Sequence, residues 1–180
     1  MRRVVTGFDK DGNAVFKSDG ETKRLVSIDG IPDIDFLDEI WAADDISTIP
    51  MDETDITVSM NSFVPTIPGA VRFRVFRIPP AKTISDYIKK GYNPDDFLKE
   101  YKRKAPGFEF DPKQPGRHTT DTIDYGYIIS GKMYLVLDKG ERRLLEACDC
   151  FIQTGTPHSW VNPFNEPCEG LVGMVGAKRK

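Results

Sequence analysis

The chain is short of cysteine and histidine, and it has no long apolar run. Its three cysteines, Cys148, Cys150 and Cys168, are odd in number and gathered late in 180 residues, which does not make a secreted disulfide framework. Cys148 and Cys150 stand two apart in "CDC", and no second cysteine pair or neighbouring histidine completes a zinc ligand set around them. They are expected to share one strand face and fill the wall between two sheets. No apolar stretch approaches the roughly 20 residues that cross a bilayer, so no membrane partner is expected. The start "MRRVVTGFDKDG" has no apolar segment behind it, and "GAKRK" fits no lipidation or peroxisomal pattern. A cytoplasmic location is the default. Positive charge is missing from one long stretch: residues 25–71 hold ten acidic side chains and no lysine or arginine. Residues 89–104 reverse this with six basic against three acidic, but they carry no nucleic-acid motif and read as a solvated helix face. With a net charge of -3, no nucleic-acid partner is expected.

What is present is the composition of a globular protein, 39% hydrophobic and 29% charged. The length suits one domain. The pattern is mostly β. "RRVVTGFDKDGNAVFKSDG" reads as a hairpin turning at "DKDGN", and "GAVRFRVFRIPP" (69–80) alternates before two prolines stop it. On that strand Arg72, Arg74 and Phe76 share one face; solvent is the favoured place for the arginines, and binding of a ligand carboxylate or phenolate by Arg74 is the functional reading. Residues 83–104 break the rhythm and read as a two-helix insertion, the first helix capped by Thr83 or Ser85, the second by Asn93 with Pro94 at N1. The insertion is expected to pack rather than to gate. Short strands with tight turns then follow to the end, as in an antiparallel sandwich or barrel. The division expected is 1–68, a hairpin and acidic arm packed on a barrel, and 69–180, the barrel with its insertion.

Both histidines open strands: His118 in "GRHTTDTIDYGYIISG" (116–131) and His158 in "CDCFIQTGTPHSWVN" (148–162). Strand residues two apart face the same way, which puts Thr120 with His118, and Trp160 and Asn162 with His158. If Asp124 points inward, two histidines and a carboxylate converge near one end of the barrel, and Gly126 on the same face leaves room for a ligand. Gln153 ends the strand before the turn, where it either binds a substrate carbonyl or caps the turn; Trp160 either stacks on a flat ligand or belongs to the core.

These two stretches resemble the paired signature motifs of the cupin superfamily, antiparallel jelly-roll β-barrels, and among them the small single-domain cupins. His118 stands at the first motif's first histidine, Asp124 at its glutamate, with six residues between it and Gly131; Gly155, His158 and Asn162 match the second motif. Thr120 stands in place of the second histidine and Cys148 in place of a glycine. The resemblance implies a pocket in the barrel, a homodimer and a small-molecule substrate. It also implies a divalent metal, Fe, Zn, Ni or Mn, here held at most by His118, Asp124 and His158; metal and no metal are both open.

The loss of a histidine favours acid/base chemistry over oxygen chemistry: His118 and His158 as acid/base pair, Asp124 as the orienting carboxylate, and Thr120, Gly126, Gln153, Trp160 and Arg74 around the substrate. The expected activity is that of a lyase or isomerase (dehydration, decarboxylation or tautomerisation) in small-molecule metabolism, on polyketide-like or aromatic compounds. The alternatives are an Fe(II)-dependent dioxygenase and a cupin that binds a ligand without turning it over.

Overall fold

The computed structural model describes residues 1–29, 35–51, 54–114 and 116–180. Residues 30–34 and 52–53 of the acidic arm, and Pro115, lie outside the described residues. The elements run β1 (Arg2–Phe8), β2 (Ala14–Glu21), β3 (Arg24–Ser27), β4 (Asp35–Ala43), β5 (Val71–Ile78), α1 (Ala81–Lys89) and α2 (Pro94–Lys104). There follow β6 (Glu109–Phe110), β7 (His118–Thr119), β8 (Thr122–Ser130), β9 (Lys132–Val136), β10 (Arg142–Glu146), β11 (Cys150–Gln153), β12 (Ser159–Val161) and β13 (Cys168–Gly176).

Two antiparallel sheets make the barrel. One has the strand order β11-β8-β13-β5-β4-β3 and the other β10-β9-β12. Their inner faces meet in one apolar cluster, where Phe76, Ile128, Phe151 and Val172 of the large sheet pack with Met133 of the small one and with Trp160. Each such side chain, fully buried, contributes roughly 1.5–3 kcal/mol, so this contact is what holds the layers together. Among the described residues no helix is long and apolar enough to cross a membrane.

The β1–β2 hairpin forms where its turn chemistry places it: Asp9 Oδ1 accepts from the backbone N–H groups of Asp11 and Asn13, each at 2.9 Å. Arg3 fastens it to the barrel, donating to the Ile40 carbonyl at 2.8 Å and to Asp55 at 2.6 Å. The acidic arm is more regular than its composition suggests. β4 pairs with β5 from Leu37↔Phe76 to Ala43↔Val71, so the barrel sheet continues straight across the expected division at residue 68. Acids disguise the strand because one of them, Glu39, is buried against an arginine on β5.

Three expectations change here. Arg72 and Arg74 do not face solvent; each is 1% exposed. Arg72 is consumed structurally, donating to the carbonyls of Ser62, Ala43 and Val71 and pairing with Asp44. Cys148 and Cys150 do not fill a wall: both are exposed, and Cys148 sits in a turn at φ 76 before β11, while Cys168 alone is buried. The first helix begins at Ala81, with Pro80 preceding it and no side-chain cap, so neither Thr83 nor Ser85 caps it. The second starts as expected, Asn93 accepting from Asp95 N at 3.0 Å, with acids in its first turn and Lys102, Arg103 and Lys104 in its last, each complementing the helix dipole.

The insertion packs. Phe97 and Tyr101 of α2 lie against Phe36, with ring centroids 5.6 and 6.3 Å away. Lys104 ties the end of the helix to Asp29 at 2.7 Å and to the Ser27 carbonyl at 3.0 Å.

Candidate active site

His118 and His158 meet across an antiparallel bridge. Each donates its backbone N–H to the other's carbonyl, at 2.9 and 3.0 Å, and their ring centroids are 4.4 Å apart. Gly155, two residues before the turn ends at Pro157, takes φ +67, and a Cβ there would stand 3.2 Å from the Thr120 carbonyl. A side chain is therefore strained and tight where the chain folds back to present His158.

The rings are oriented by the main chain. His118 Nδ1 lies 3.1 Å from the Gly116 carbonyl oxygen, and His158 Nδ1 lies 2.9 Å from that of Thr156. A carbonyl oxygen only accepts, so in the neutral rings the proton is on Nδ1 and both Nε2 atoms keep a lone pair. Burial pushes the His158 pKa down to about 4, with the neighbouring His118 pushing the same way. Burial lowers that of His118 too, against the Gly116 hydrogen bond. Two neutral imidazoles with free Nε2 lone pairs thus stand side by side, His158 buried and His118 half-buried against the rings of Phe108 and Phe110. His118 also lines a pocket of about 470 Å³, together with Glu109, Phe110 and Arg117.

Asp124 points inward, 6% exposed, opposite Gln153 and Met174 in the sheet. Burial drives its pKa up to about 6, against a Thr122 hydrogen bond and the charge of Arg74, and its Oδ1 has no hydrogen-bond partner. The two carbonyls orient the rings, and Asp124 does not group with the two histidines. Thr120 is buried and shares a 2.7 Å hydrogen bond with the Thr122 hydroxyl.

These positions decide how well a resident metal fits. Among the described residues no three histidine, cysteine, aspartate or glutamate side chains come together in a group able to hold an ion. The donors that converge are two imidazoles; Asp124 is outside the pair and the Thr120 hydroxyl is already engaged. The ligand set of His118, Asp124 and His158 is not assembled, and the residues as placed do not fit the group.

The remaining candidates divide. Gln153 donates to the Thr156 carbonyl at 3.1 Å and so braces the turn that carries His158. Trp160 belongs to the core, its ring 5.0 Å from Phe151, 5.9 Å from Phe76 and 5.4 Å from His158. Gly126 does not leave ligand space: a Cβ there would lie 2.0 Å from the Phe151 ring, which fills the room expected for a substrate. Asn162 is a structural donor to the carbonyls of Ile78 and Glu166.

Arg74 is inside, and with it come two residues that the motifs do not mark. Its Nε lies 2.8 Å from Glu39 Oε1, its Nη2 donates to the Phe63 carbonyl, and Tyr101 is close enough to feel its charge. Burial nevertheless pushes the Tyr101 phenol up to about 12. The signal for Glu39 was its spacing of two from Leu37 in "FLDEIW", a strand rhythm carrying an acid on a face that turns inward; a bulge after Glu39 then puts Ala42, not Trp41, on that face.

With two facing antiparallel sheets and paired motif strands established, similarity to known proteins bears on the fold. No family model matches the chain. Over 45 residues, a quarter of its length, it is 47% identical to a cupin-domain-containing oxidoreductase of Neurospora crassa. The chain has a cupin fold. A stretch of the same length is 49% identical to a phomopsin biosynthesis cluster protein of Diaporthe leptostromiformis. The part of the cupin chain that matches spans about a quarter of the length of those relatives. A solved cupin 2 conserved barrel domain protein from Salinispora arenicola aligns over 63% of this chain and 69% of its own, at 17% identity and a TM-score of 0.36. Of the two histidines in the cupin barrel only His118 lines the 470 Å³ pocket; His158 is buried beside it, against Trp160.

Proposed function

We propose that the protein is a cupin enzyme of secondary metabolism that moves protons on a small oxygenated molecule, as a lyase or isomerase. One observation carries the reading: both histidines donate Nδ1–H to fixed carbonyls, so both Nε2 atoms are preoriented bases 4.4 Å apart by ring centroid. An imidazole so placed takes a proton from carbon next to a carbonyl group. In a tautomerisation the same proton returns to the other end of the enol. In a dehydration the carbon electron pair forms the double bond, the carbon–oxygen bond breaks, and the proton leaves on the departing hydroxyl as water. General acid/base catalysis of this type contributes about 10²–10⁴-fold, and the burial of His158 keeps bulk water from competing for the proton.

The setting of the relatives supports a biosynthetic role, since their names place them in phomopsin and oryzines biosynthesis clusters. A second reading, an oxidoreductase, is favoured by the names of cupin relatives from Neurospora crassa and Aspergillus ruber.

The test is made on protein purified without chelators, by elemental analysis and oxygen uptake with the substrate that copurifies. Turnover without oxygen consumption, lost in His118→Ala and His158→Ala, is the expected result. Stoichiometric iron with substrate-dependent oxygen uptake would overturn the acid/base reading in favour of the oxidoreductase.

A further inference from the structure

The main chain does little to hold the crossing that brings the two imidazoles together. His118 and His158 form an isolated bridge, and beyond it neither Thr120 on one segment nor Gly155 on the other belongs to a strand. Thr120 is buried and Gly155 half-buried. Carbonyls so placed, where the ladder has stopped, need a donor from elsewhere. One side chain supplies it to both segments. Arg179, three residues past the end of β13, donates from Nη2 to the Thr120 carbonyl at 3.1 Å and to the Gly155 carbonyl at 3.2 Å.

Arg179 is itself held in place. Its Nε donates to Asp121 Oδ1 at 2.5 Å, and the backbone N–H of Ala177 donates to the Asp121 carbonyl at 2.8 Å. Gly155 keeps the approach open, since a Cβ there would stand 3.3 Å from Arg179 Nη2. Both members of the ion pair are more than half exposed, 51% and 59%, so the pair contributes little by itself. What the guanidinium adds is its rigid fork of donors, which an ammonium group lacks. The effect falls on His158, because Gly155 precedes Thr156, whose carbonyl accepts from His158 Nδ1 and from Gln153 Nε2. Arg117 grips the same crossing nearer the rings, pairing with Asp138 and donating to the Pro157 carbonyl at 3.2 Å. The crossing therefore persists without Arg179, and what is at stake is the orientation of the turn.

We propose that Arg179 is a positioning residue of the histidine pair. By tying the Thr120 and Gly155 carbonyls together it orients the Gly155–Thr156 peptide, and through it the Thr156 carbonyl that holds His158 with its proton on Nδ1. It acts through main-chain carbonyls and not on a substrate. The effect on turnover rests on the acid/base reading; the effect on the imidazoles does not.

The experiment compares Arg179→Met with Asp121→Asn on the full chain, by nitrogen-detected NMR of the imidazoles and by urea unfolding. Arg179→Met is expected to keep a cooperative transition while His158 gains a fraction protonated at Nε2 and its Nδ1–H exchanges with water about tenfold faster, the worth of about one hydrogen bond. Asp121→Asn removes the exposed ion pair, leaves both carbonyl contacts, and is expected to keep the native imidazole signals. If Arg179→Met does not unfold cooperatively, Arg179→Lys, which keeps the charge and loses the fork, is read in the same way. Native imidazole signals in the Arg179 variant, whatever its urea midpoint, overturn the positioning role, and so does an equal change in Asp121→Asn. Turnover that persists in His118→Ala and His158→Ala refutes the acid/base reading and leaves the NMR result standing.

Discussion

His158 Nδ1 donates to the carbonyl of Thr156, two residues before it, just as His118 Nδ1 donates to that of Gly116. The two segments that meet at the histidine bridge thus fix both tautomers by the same local device. Nitrogen-detected NMR of labelled protein at pH 7 should show the two rings neutral, protonated at Nδ1 and bare at Nε2. A proton on Nε2 of either ring would remove the basis of the proposed chemistry.

Gly126 is fixed by packing, so Gly126→Ala should destabilise the fold. The new methyl would lie 2.0 Å from Phe151 ring atoms, and overpacking of this kind costs about 1–3 kcal/mol. Urea unfolding should show a lower midpoint at unchanged slope, partly restored when Phe151→Leu is combined with it. No recovery in the double variant would place the clash elsewhere.

The contact between Arg3 and Asp55 gives the hairpin a pH-dependent anchor. Burial opposes ionisation of Asp55, but hydrogen bonds from Arg3 and Thr57 outweigh it and hold its pKa down at about 2. The unfolded carboxyl titrates near 3.9. Because the folded value is the lower one, the stabilisation is complete above about pH 5 and is lost as pH falls through the unfolded value towards 2, amounting to about 2 kcal/mol. Denaturant titrations between pH 5 and pH 2 should therefore show a shallower acid loss for Asp55→Asn than for the native protein. Parallel profiles would mean that Asp55 is not held at that pKa.

Cysteine reactivity should follow the corrected placement. Cys148 and Cys150 are exposed, whereas Cys168 is buried in β13 and its thiol is pushed up to about 11 by that burial. Iodoacetamide at pH 8 should label the first two in the native protein and Cys168 only after unfolding, as read by peptide mass spectrometry. Native labelling of Cys168 at a matching rate would show that β13 opens readily.

The histidine positions, their place at strand starts and the β-rich order of the second half are written in the sequence itself. Turn residues and strand alternation are local, and two histidines in matched motifs leave few ways to misplace them. Local rules also locate α2, because Asn93, Pro94 and the flanking charges act within one turn of the helix. What only the tertiary structure decided is what each inward residue meets. Asp124 alternates inward as the motif requires, beside Gln153 and Met174 in the sheet, but it does not group with the two histidines. Gly126 is empty of side chain in the sequence, yet the space belongs to Phe151 on the adjacent strand. Arg74 and Glu39 look like solvent charges when each is read alone. The pairing of β4 with β5 brings them into one row of the sheet and buries both, because a charge enters the interior only with its partner, and partners 35 positions apart meet only in the fold.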